Sequence, residues 1–311
     1  MNEGKKAKNQ IIKVTTFPVP FPLGEVKNNI TFSNNTATKL SKEQIIKQAI
    51  DFHLQGNICE AAKSYKYCIN QGFITDSVFS NYAMILKDQG QLEEAEILTI
   101  KAIKIDPDIA NHHLLLGNIL QDLGKLKEAE LSIRKAIDID PYFTDAYNNL
   151  GNILIDLGQL QDAEITYNIL IEHKPDYAEA HFKLGIILKD LGKSTEAELS
   201  TRKAIEINPN FANAHSNLGI ILKDLGKLKE AELSTRKAIE INPDYADAHS
   251  NLGNVLRGLG NLKDAELSTR KAIEINPNFA EAHSNLGNIL IDLGKLKDAE
   301  SSLLKAIELK A

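Results

Sequence analysis

Apolar and polar positions alternate along residues 42–311 in a pattern that repeats every 34 residues. Within each period, small and aliphatic residues recur at three- and four-residue spacing in two segments, which predicts two amphipathic helices. A glycine lies between the segments, and most periods after the first end in Asn-Pro or Asp-Pro. Because proline cannot continue a helix, each period predicts one helix–turn–helix unit.

Residues of fixed type mark this period along the chain. The prolines are Pro107, Pro141, Pro175, Pro209, Pro243 and Pro277, and the turn glycines are Gly56, Gly90, Gly124, Gly158, Gly192, Gly226, Gly260 and Gly294. So strict a period predicts a linear stack of supersecondary units. The eight predicted units within residues 41–311 are 42–75, 76–109, 110–143, 144–177, 178–211, 212–245, 246–279 and 280–311.

The repeating unit resembles the tetratricopeptide repeat (TPR) family. The unit that begins at Ala212 carries the family's pattern at His215, Leu218, Gly219, Leu222, Ala231, Ala238 and Pro243. The resemblance covers residues 41–311 and implies an all-α fold, a right-handed α-solenoid of eight repeats whose first helices line a concave groove. It implies a non-enzymatic protein–protein interaction scaffold that binds a partner protein or an extended peptide in the groove.

The predicted groove carries a row of asparagines at positions six and nine of the units, together with three apolar residues. A side-chain amide both donates and accepts hydrogen bonds, so such a row could hold the main chain of an extended peptide. The alternative is that these amides are ordinary polar surface. The predicted groove residues are Asn81, Asn118, Asn149, Asn152, Asn217, Asn251, Asn254, Asn285 and Asn288, with Leu114, Leu115 and Phe182 as candidate apolar anchors.

The asparagine row also resembles the ladder in the repeat domain of O-linked N-acetylglucosamine transferases. This likeness implies an alternative function, in which the chain is the substrate-recognition arm of a glycosyltransferase or sulfotransferase, as a fragment or a stand-alone relative. Activity would then require a separate catalytic domain.

Charge narrows the class of partner. The net charge is −6, and residues 1–40 carry +4, which leaves −10 on the repeats. An acidic body gains no counterion release from a phosphate backbone, so nucleic acid is disfavoured. At positions 2, 6, 12 and 13 of the units, acids exceed bases by five, which favours a neutral or basic peptide. The sequence has no 18-residue apolar run and no secretory signal, so no membrane partner and a cytoplasmic location are expected.

No pattern in the chain predicts catalysis. Histidines recur at position four of five units, but equivalent positions in stacked helices lie on the order of 10 Å apart, too far to share a metal ion. We therefore interpret His113, His181, His215, His249 and His283 as packing or capping residues. The stretch Gly192-Lys193-Ser194 lacks the first glycine of a phosphate loop. The sequence predicts no catalytic, cofactor-binding or metal-binding residue, and no enzyme.

The two ends depart from the repeat. Residues 1–40 lack helical periodicity and contain a Pro-rich segment, so we expect a disordered or extended tail. One hypothesis is that Phe17 and Phe21 of this tail cover Ile46, Ile50 and Leu54 of the first unit; a plain disordered tail is the alternative. In the last unit Leu303 and Leu304 replace a Thr-Arg pair. This change predicts that another copy of the chain or a downstream domain covers that end; simple exposure of the two leucines is the alternative.

Overall fold

The computed structural model describes residues 41–310, which form sixteen α-helices and no β-strand. The helices are α1 Lys42–Leu54, α2 Ile58–Asn70, α3 Asp76–Asp88, α4 Leu92–Ile105, α5 Ala110–Asp122, α6 Leu126–Ile139, α7 Thr144–Asp156, α8 Leu160–His173, α9 Ala178–Asp190, α10 Ser194–Ile207, α11 Ala212–Asp224, α12 Leu228–Ile241, α13 Ala246–Gly258, α14 Leu262–Ile275, α15 Ala280–Asp292 and α16 Leu296–Glu308. Each predicted unit holds two of these helices.

The chain divides into two compact units, Met1–Pro107 and Asp108–Ala311. Unit 1 contains α1–α4 and unit 2 contains α5–α16. Within each unit, the two helices of a repeat pack extensively against each other, and the second helix also packs against the first helix of the next repeat. This consecutive packing confirms the predicted all-α solenoid architecture within each unit.

The turns and caps follow from single residue types. Gly226, at the turn between α11 and α12, has a φ of 76°, a left-handed conformation that glycine adopts without steric cost. The N-terminal cap of α1 is the predicted capping box, because Ser41 and Gln44 bond reciprocally to each other's backbone N–H groups. At the C-terminal end of α10, Asn208 leaves the helical conformation before the proline that follows it.

Small residues set the close spacing of the paired helices. Ala231 and Ala238 of α12 are fully buried. Gly219 of α11 lies directly against the Thr235 side chain, and a Cβ at Gly219 would lie 2.2 Å from Thr235 Oγ1. Leu218 adds aliphatic surface to the same interface. Each repeat therefore buries its apolar face against its partner helix and the next repeat rather than in one central core.

In unit 2 the odd-numbered helices also contact one another across repeats, as seen for α11 with α13 and α13 with α15. The helix pair α12 and α14 makes no comparable contact. The stack is thus tighter on the side of the odd-numbered helices, which makes that side concave. We call the exposed surface of α5, α7, α9, α11, α13 and α15 the inner face, and that of α6, α8, α10, α12, α14 and α16 the outer face.

The predictions for the two ends concern the tail before residue 41 and the leucines of the last repeat. The predicted tail and its proposed contacts lie outside the described residues, while Leu54, which it was expected to cover, is 57% exposed. In the last unit, Leu303 is half-buried against Gly287, where it takes the place that a threonine holds in α10, α12 and α14. Leu304 is 59% exposed. No described helix is both long and apolar enough to cross a membrane.

Candidate functional site

The nine predicted asparagines all lie on odd-numbered helices. Asn81 belongs to α3 of unit 1, and the other eight lie on the inner face of unit 2. The row in unit 2 is interrupted at α9, where Lys183 occupies position six and Ile186 occupies position nine. It resumes at Asn217 and continues through α13 and α15. Asn217 is buried, with 9% of its surface exposed, whereas the other row members are partly buried.

Adjacent repeats are joined by the position-six asparagines of α13 and α15. Asn251 Nδ2 donates to Ser216 Oγ of the preceding repeat at 3.1 Å, and Asn285 Nδ2 donates to Ser250 Oγ at 2.9 Å. Each bond leaves the amide carbonyl oxygen for another donor. These asparagines therefore have a structural role as well as a potential binding role, a combination that the sequence analysis did not anticipate.

The position-six amides elsewhere also make contacts inside the protein. Asn149 Nδ2 donates to Asn118 Oδ1 at 2.7 Å, a bond between α7 and α5. Asn217 Nδ2 donates to Thr201 Oγ1 of the preceding repeat at 3.4 Å. In unit 1, by contrast, Asn81 Nδ2 is buried and makes no hydrogen bond to the described residues.

The position-nine asparagines differ among themselves. Asn152 Oδ1 accepts a hydrogen bond of 2.9 Å from the Tyr167 hydroxyl, and Asn118 accepts from the position-six amide of the next repeat. Asn254 and Asn288 are partly buried on α13 and α15, and their side chains make no hydrogen bond to the described residues. These two amides can therefore offer both a donor and an acceptor to a ligand on the inner face.

The three candidate apolar anchors are buried. Leu114 is fully buried, and Leu115 and Phe182 have 8% and 9% of their surface exposed. Phe182 packs on Phe211, with ring centroids 4.9 Å apart, and on Ala214 of the next repeat. The prediction that Leu114 anchors a ligand is wrong because this helix position lies between neighbouring helices, and Phe182 is likewise a packing residue. Ser216, at position five of its repeat, is also buried.

Charged residues line the rim of the inner face and are paired in part. Arg257 donates to Asp292 of the next repeat, and this hydrogen bond lowers the pKa of the Asp292 carboxyl. Gln121 donates to Asp156 at 3.2 Å across the same kind of repeat junction. Lys189 Nζ lies 3.1 Å from Asp190 Oδ1. We call positions 2, 6, 12 and 13 of each repeat the rim positions. In unit 2 they hold nine acids and four bases, so the charge of the rim stays negative after pairing.

The position-four histidines bond to the backbone of the preceding repeat. The Nε2 atoms of His181 and His215 lie 3.0 Å from the carbonyl oxygens of Pro175 and Pro209. His249 repeats the arrangement at 2.9 Å from Pro243 O, as does His283 with Pro277. These contacts confirm the capping interpretation for these four histidines. In residues 41–310 no three His, Cys, Asp or Glu side chains come close enough together to hold a metal ion.

The geometry thus describes an α-helical repeat array with a polar inner face. Family models described as tetratricopeptide repeat match residues 77–109, 120–184, 178–211, 212–245, 246–279 and 269–301. The chain therefore belongs to the tetratricopeptide repeat family, whose members act as protein-interaction scaffolds. A comparison with curated proteins found no match.

Solved structures of similar fold support this assignment. YrrB, described as a TPR protein with an unusual peptide-binding site, is 26% identical with a TM-score of 0.51, over 59% of this chain and 95% of YrrB. A tetratricopeptide repeat protein from Parabacteroides merdae is 21% identical with a TM-score of 0.65, over 76% of this chain and 93% of that protein. The Cut9–Hcn1 complex of the APC/C contains a chain that is 15% identical with a TM-score of 0.60, over 86% of this chain and 53% of that chain. The last two support the fold alone.

Proposed function

We propose that unit 2 binds an extended peptide segment of a partner protein along its inner face, and that the asparagines of α13 and α15 hold the main chain of that segment. The observation that carries the proposal is that the amides of Asn254 and Asn288 lie partly buried on the concave side without a hydrogen-bond partner in the described chain. Beside them, Asn251 and Asn285 keep a carbonyl oxygen for a peptide N–H.

The spacing of the repeats suits an extended ligand. Packed helices lie about 8–10 Å apart, and an extended or polyproline II chain rises about 3.1–3.4 Å per residue. Each repeat therefore faces about three residues of a peptide. Because every amide side chain can bind a main-chain N–H or C=O, recognition would depend weakly on the side chains of the peptide. The description of YrrB, at 26% identity, as a TPR protein with an unusual peptide-binding site supports a peptide as the ligand.

The acidic rim sets the preferred charge of the peptide. With nine acids and four bases at the rim positions of unit 2, a neutral or basic segment gains attraction and an acidic one is repelled. This part of the proposal predicts that binding of a basic peptide weakens as ionic strength rises, because screening shortens the range of the attraction.

A peptide array and a subsequent binding titration test the proposal. The purified chain is applied to an array of 12-residue peptides, and the best-bound peptide is resynthesised with a fluorophore for polarisation measurements. The variant Asn254→Ala with Asn288→Ala removes two amides that hold no repeat together. Two lost hydrogen bonds of about 1 kcal/mol each predict a dissociation constant at least ~10-fold higher.

The matched control replaces Asn261 and Asn278 with Ala, two exposed asparagines in turns away from the inner face. This control should bind the labelled peptide like the native chain. Equal binding by both variants would contradict a role for the amide row. N-methylation of the peptide backbone should weaken binding more than alanine substitution of its side chains.

The recognition-arm alternative uses the same side chains and differs in the fate of the bound segment. On that hypothesis the segment is the substrate of a separate glycosyltransferase or sulfotransferase domain. Adding such a catalytic domain with its donor would then modify the captured peptide, and the Asn254→Ala, Asn288→Ala variant would lower the extent of modification.

A further inference from the structure

The asparagine row on the inner face of unit 2 is interrupted at two neighbouring helices. Position nine is asparagine on α5, α7, α13 and α15, whereas α9 has Ile186 and α11 has Ile220 at this position. Position six of α9 is Lys183, where α7 and α11 on either side have asparagine. We call Lys183, Ile186 and Ile220 the row break. Asparagines flank it on both sides, on α7 and on α13.

The two isoleucines of the row break offer apolar surface to a ligand. Both are partly buried, and Ile186 packs against the cluster that contains Phe182 and Ala214. Equivalent positions on packed helices lie about 8–10 Å apart, so one aliphatic or aromatic side chain of a peptide can contact both isoleucines. Because isoleucine has no hydrogen-bonding group, the main chain of a peptide finds no partner here. Contact at the row break therefore depends on a peptide side chain, in contrast to the main-chain contacts at α13 and α15.

Lys183 adds a positive charge that the protein does not neutralise. The other three bases at rim positions of unit 2 are paired within the chain: Arg257 with Asp292, Lys189 with Asp190, and Lys223 with Asp224. In the part of the chain that the structure describes, Lys183 forms no ion pair or hydrogen bond, even with Glu179 one helical turn earlier. Because Lys183 is partly buried, solvent ions screen its attraction for a carboxylate less than they would for a fully exposed lysine.

We propose that the row break fixes the register of the bound segment: Ile186 and Ile220 receive one aliphatic or aromatic side chain of the peptide, and Lys183 pairs with an aspartate or glutamate within two residues of it. This inference rests on the function proposed above, because it assigns side-chain preferences to the same bound segment. Two residues of extended chain span about 6–7 Å, a distance that the flexible stem of a lysine can bridge. The rest of the rim is acidic, so the remainder of the preferred peptide is neutral or basic.

The row break also sets the distance between the two kinds of contact. Helix α9 lies two repeats before α13. At about 8–10 Å per repeat, this separation corresponds to about five or six residues of extended peptide. The apolar residue and its acidic neighbour therefore lie about six residues from the main-chain segment that Asn254 holds. A 12-residue peptide is long enough to reach both.

A replacement array tests the inference. The probe is the 12-residue peptide that the chain binds best, resynthesised with each residue replaced in turn by alanine, asparagine, aspartate and lysine. Dissociation constants for the full chain are measured by fluorescence polarisation. We expect one apolar position at which alanine weakens binding about 5-fold. Within two residues of it we expect a position at which aspartate binds about 3-fold tighter than asparagine.

Two variants assign these preferences to the row break. Lys183→Glu should reverse the charge preference, so that a peptide with lysine at the acidic position binds better than one with aspartate. Its matched control is Lys229→Glu, the same change of charge at an exposed lysine on the outer face, which should keep the native preference. Ile186→Asn with Ile220→Asn gives position nine the residue that α13 and α15 carry. This variant should lose the preference for the apolar residue and still bind the peptide, and circular dichroism verifies its helix content.

The outcomes separate this inference from the function on which it rests. If the chain binds array peptides but shows no such apolar position, the inference is overturned and the proposed function stands. The inference is also overturned if the preference for aspartate survives in Lys183→Glu, or is lost equally in Lys229→Glu, which would assign it to net charge. A chain that binds no peptide of the array contradicts the proposed function itself, and the inference falls with it.

Discussion

Gly219 and Thr235 form a close contact between α11 and α12. Their coupling can be tested because Gly219→Ala should destabilise the protein when Thr235 is present and stabilise it when Thr235 is replaced by alanine. A Cβ added at Gly219 would lie 2.2 Å from Thr235 Oγ1, and 3.4 Å from both Thr235 Cβ and the carbonyl oxygen of Ala231. The Thr235 hydroxyl cannot simply move away, because it donates to Ala231 O at 2.8 Å and its β-branched side chain is stiff in a helix. Gly219→Ala therefore forces the two helices apart.

The change in the free energy of unfolding caused by Gly219→Ala is the sum of two opposing effects. Alanine is favoured over glycine inside a helix by ~1 kcal/mol. Overpacking of a close contact costs ~1–3 kcal/mol. In the native background we expect Gly219→Ala to lower the free energy of unfolding by up to ~2 kcal/mol. In a Thr235→Ala background the clashing oxygen is absent, and the same substitution should raise the free energy of unfolding by up to ~1 kcal/mol.

Urea unfolding of the four proteins of this double-mutant cycle, monitored by circular dichroism, measures both effects. The midpoints are compared at a common slope, since repeat arrays can depart from two-state unfolding. The reasoning is refuted if Gly219→Ala changes stability by the same amount, with the same sign, in both backgrounds. That result would mean that the α11–α12 spacing is set elsewhere.

Three further predictions concern single contacts. Glu198 accepts hydrogen bonds from Lys227 of the next repeat and from its own helix, and these lower its pKa from the ordinary 4.5. Its stabilising effect is therefore present above pH 4.5 and is lost as pH falls through the folded-state pKa; in urea titrations Glu198→Gln should cost about 1 kcal/mol at pH 7 and progressively less as the pH is lowered below 4.5. The matched Glu232→Gln should cost less, because Glu232 bonds to an arginine of its own helix and the next repeat has Asn where Lys227 stands. Tyr167→Phe should lower the free energy of unfolding by ~1 kcal/mol through the lost bond to the partly buried Asn152, and an unchanged midpoint would contradict that bond. Nitrogen-15 NMR should show His249 as the Nε2–H tautomer at pH 8, since that nitrogen faces a carbonyl oxygen; an Nδ1–H signal would contradict the contact.

The fold could be predicted from sequence because its determinants are local and repeated. Turn glycines, helix-ending prolines and small residues each impose one conformation at one position, and Gly226 and Ser41 behave as their residue types require. A 34-residue period repeats these constraints along the chain. An atypical residue in one repeat is therefore outweighed by the residues at the same position of the other repeats. Each predicted unit therefore contains two helices.

The site could be predicted only in part, because burial depends on neighbouring repeats rather than on the helix alone. The helical pattern placed the asparagines on one side of the odd-numbered helices, which is where they lie. It did not show that Ser216 would be buried at position five, or that Asn251 would bond to it across the repeat junction. The same limit applies to Leu114, whose surroundings come from other helices.

The bonds between repeats have a consequence for how such a chain can change its length. Asn251 bonds to Ser216 and Asn285 bonds to Ser250, each pair 35 residues apart in the chain. Excision of residues 246–279 would bring Asn285 to the place that Asn251 now holds opposite Ser216, and the amide–hydroxyl bond would form again. A duplication of the same 34 codons would create one more copy of it. A chain that gains or loses one such repeat therefore keeps this bond at the new junction, while the number of ligand residues it can span changes by about three.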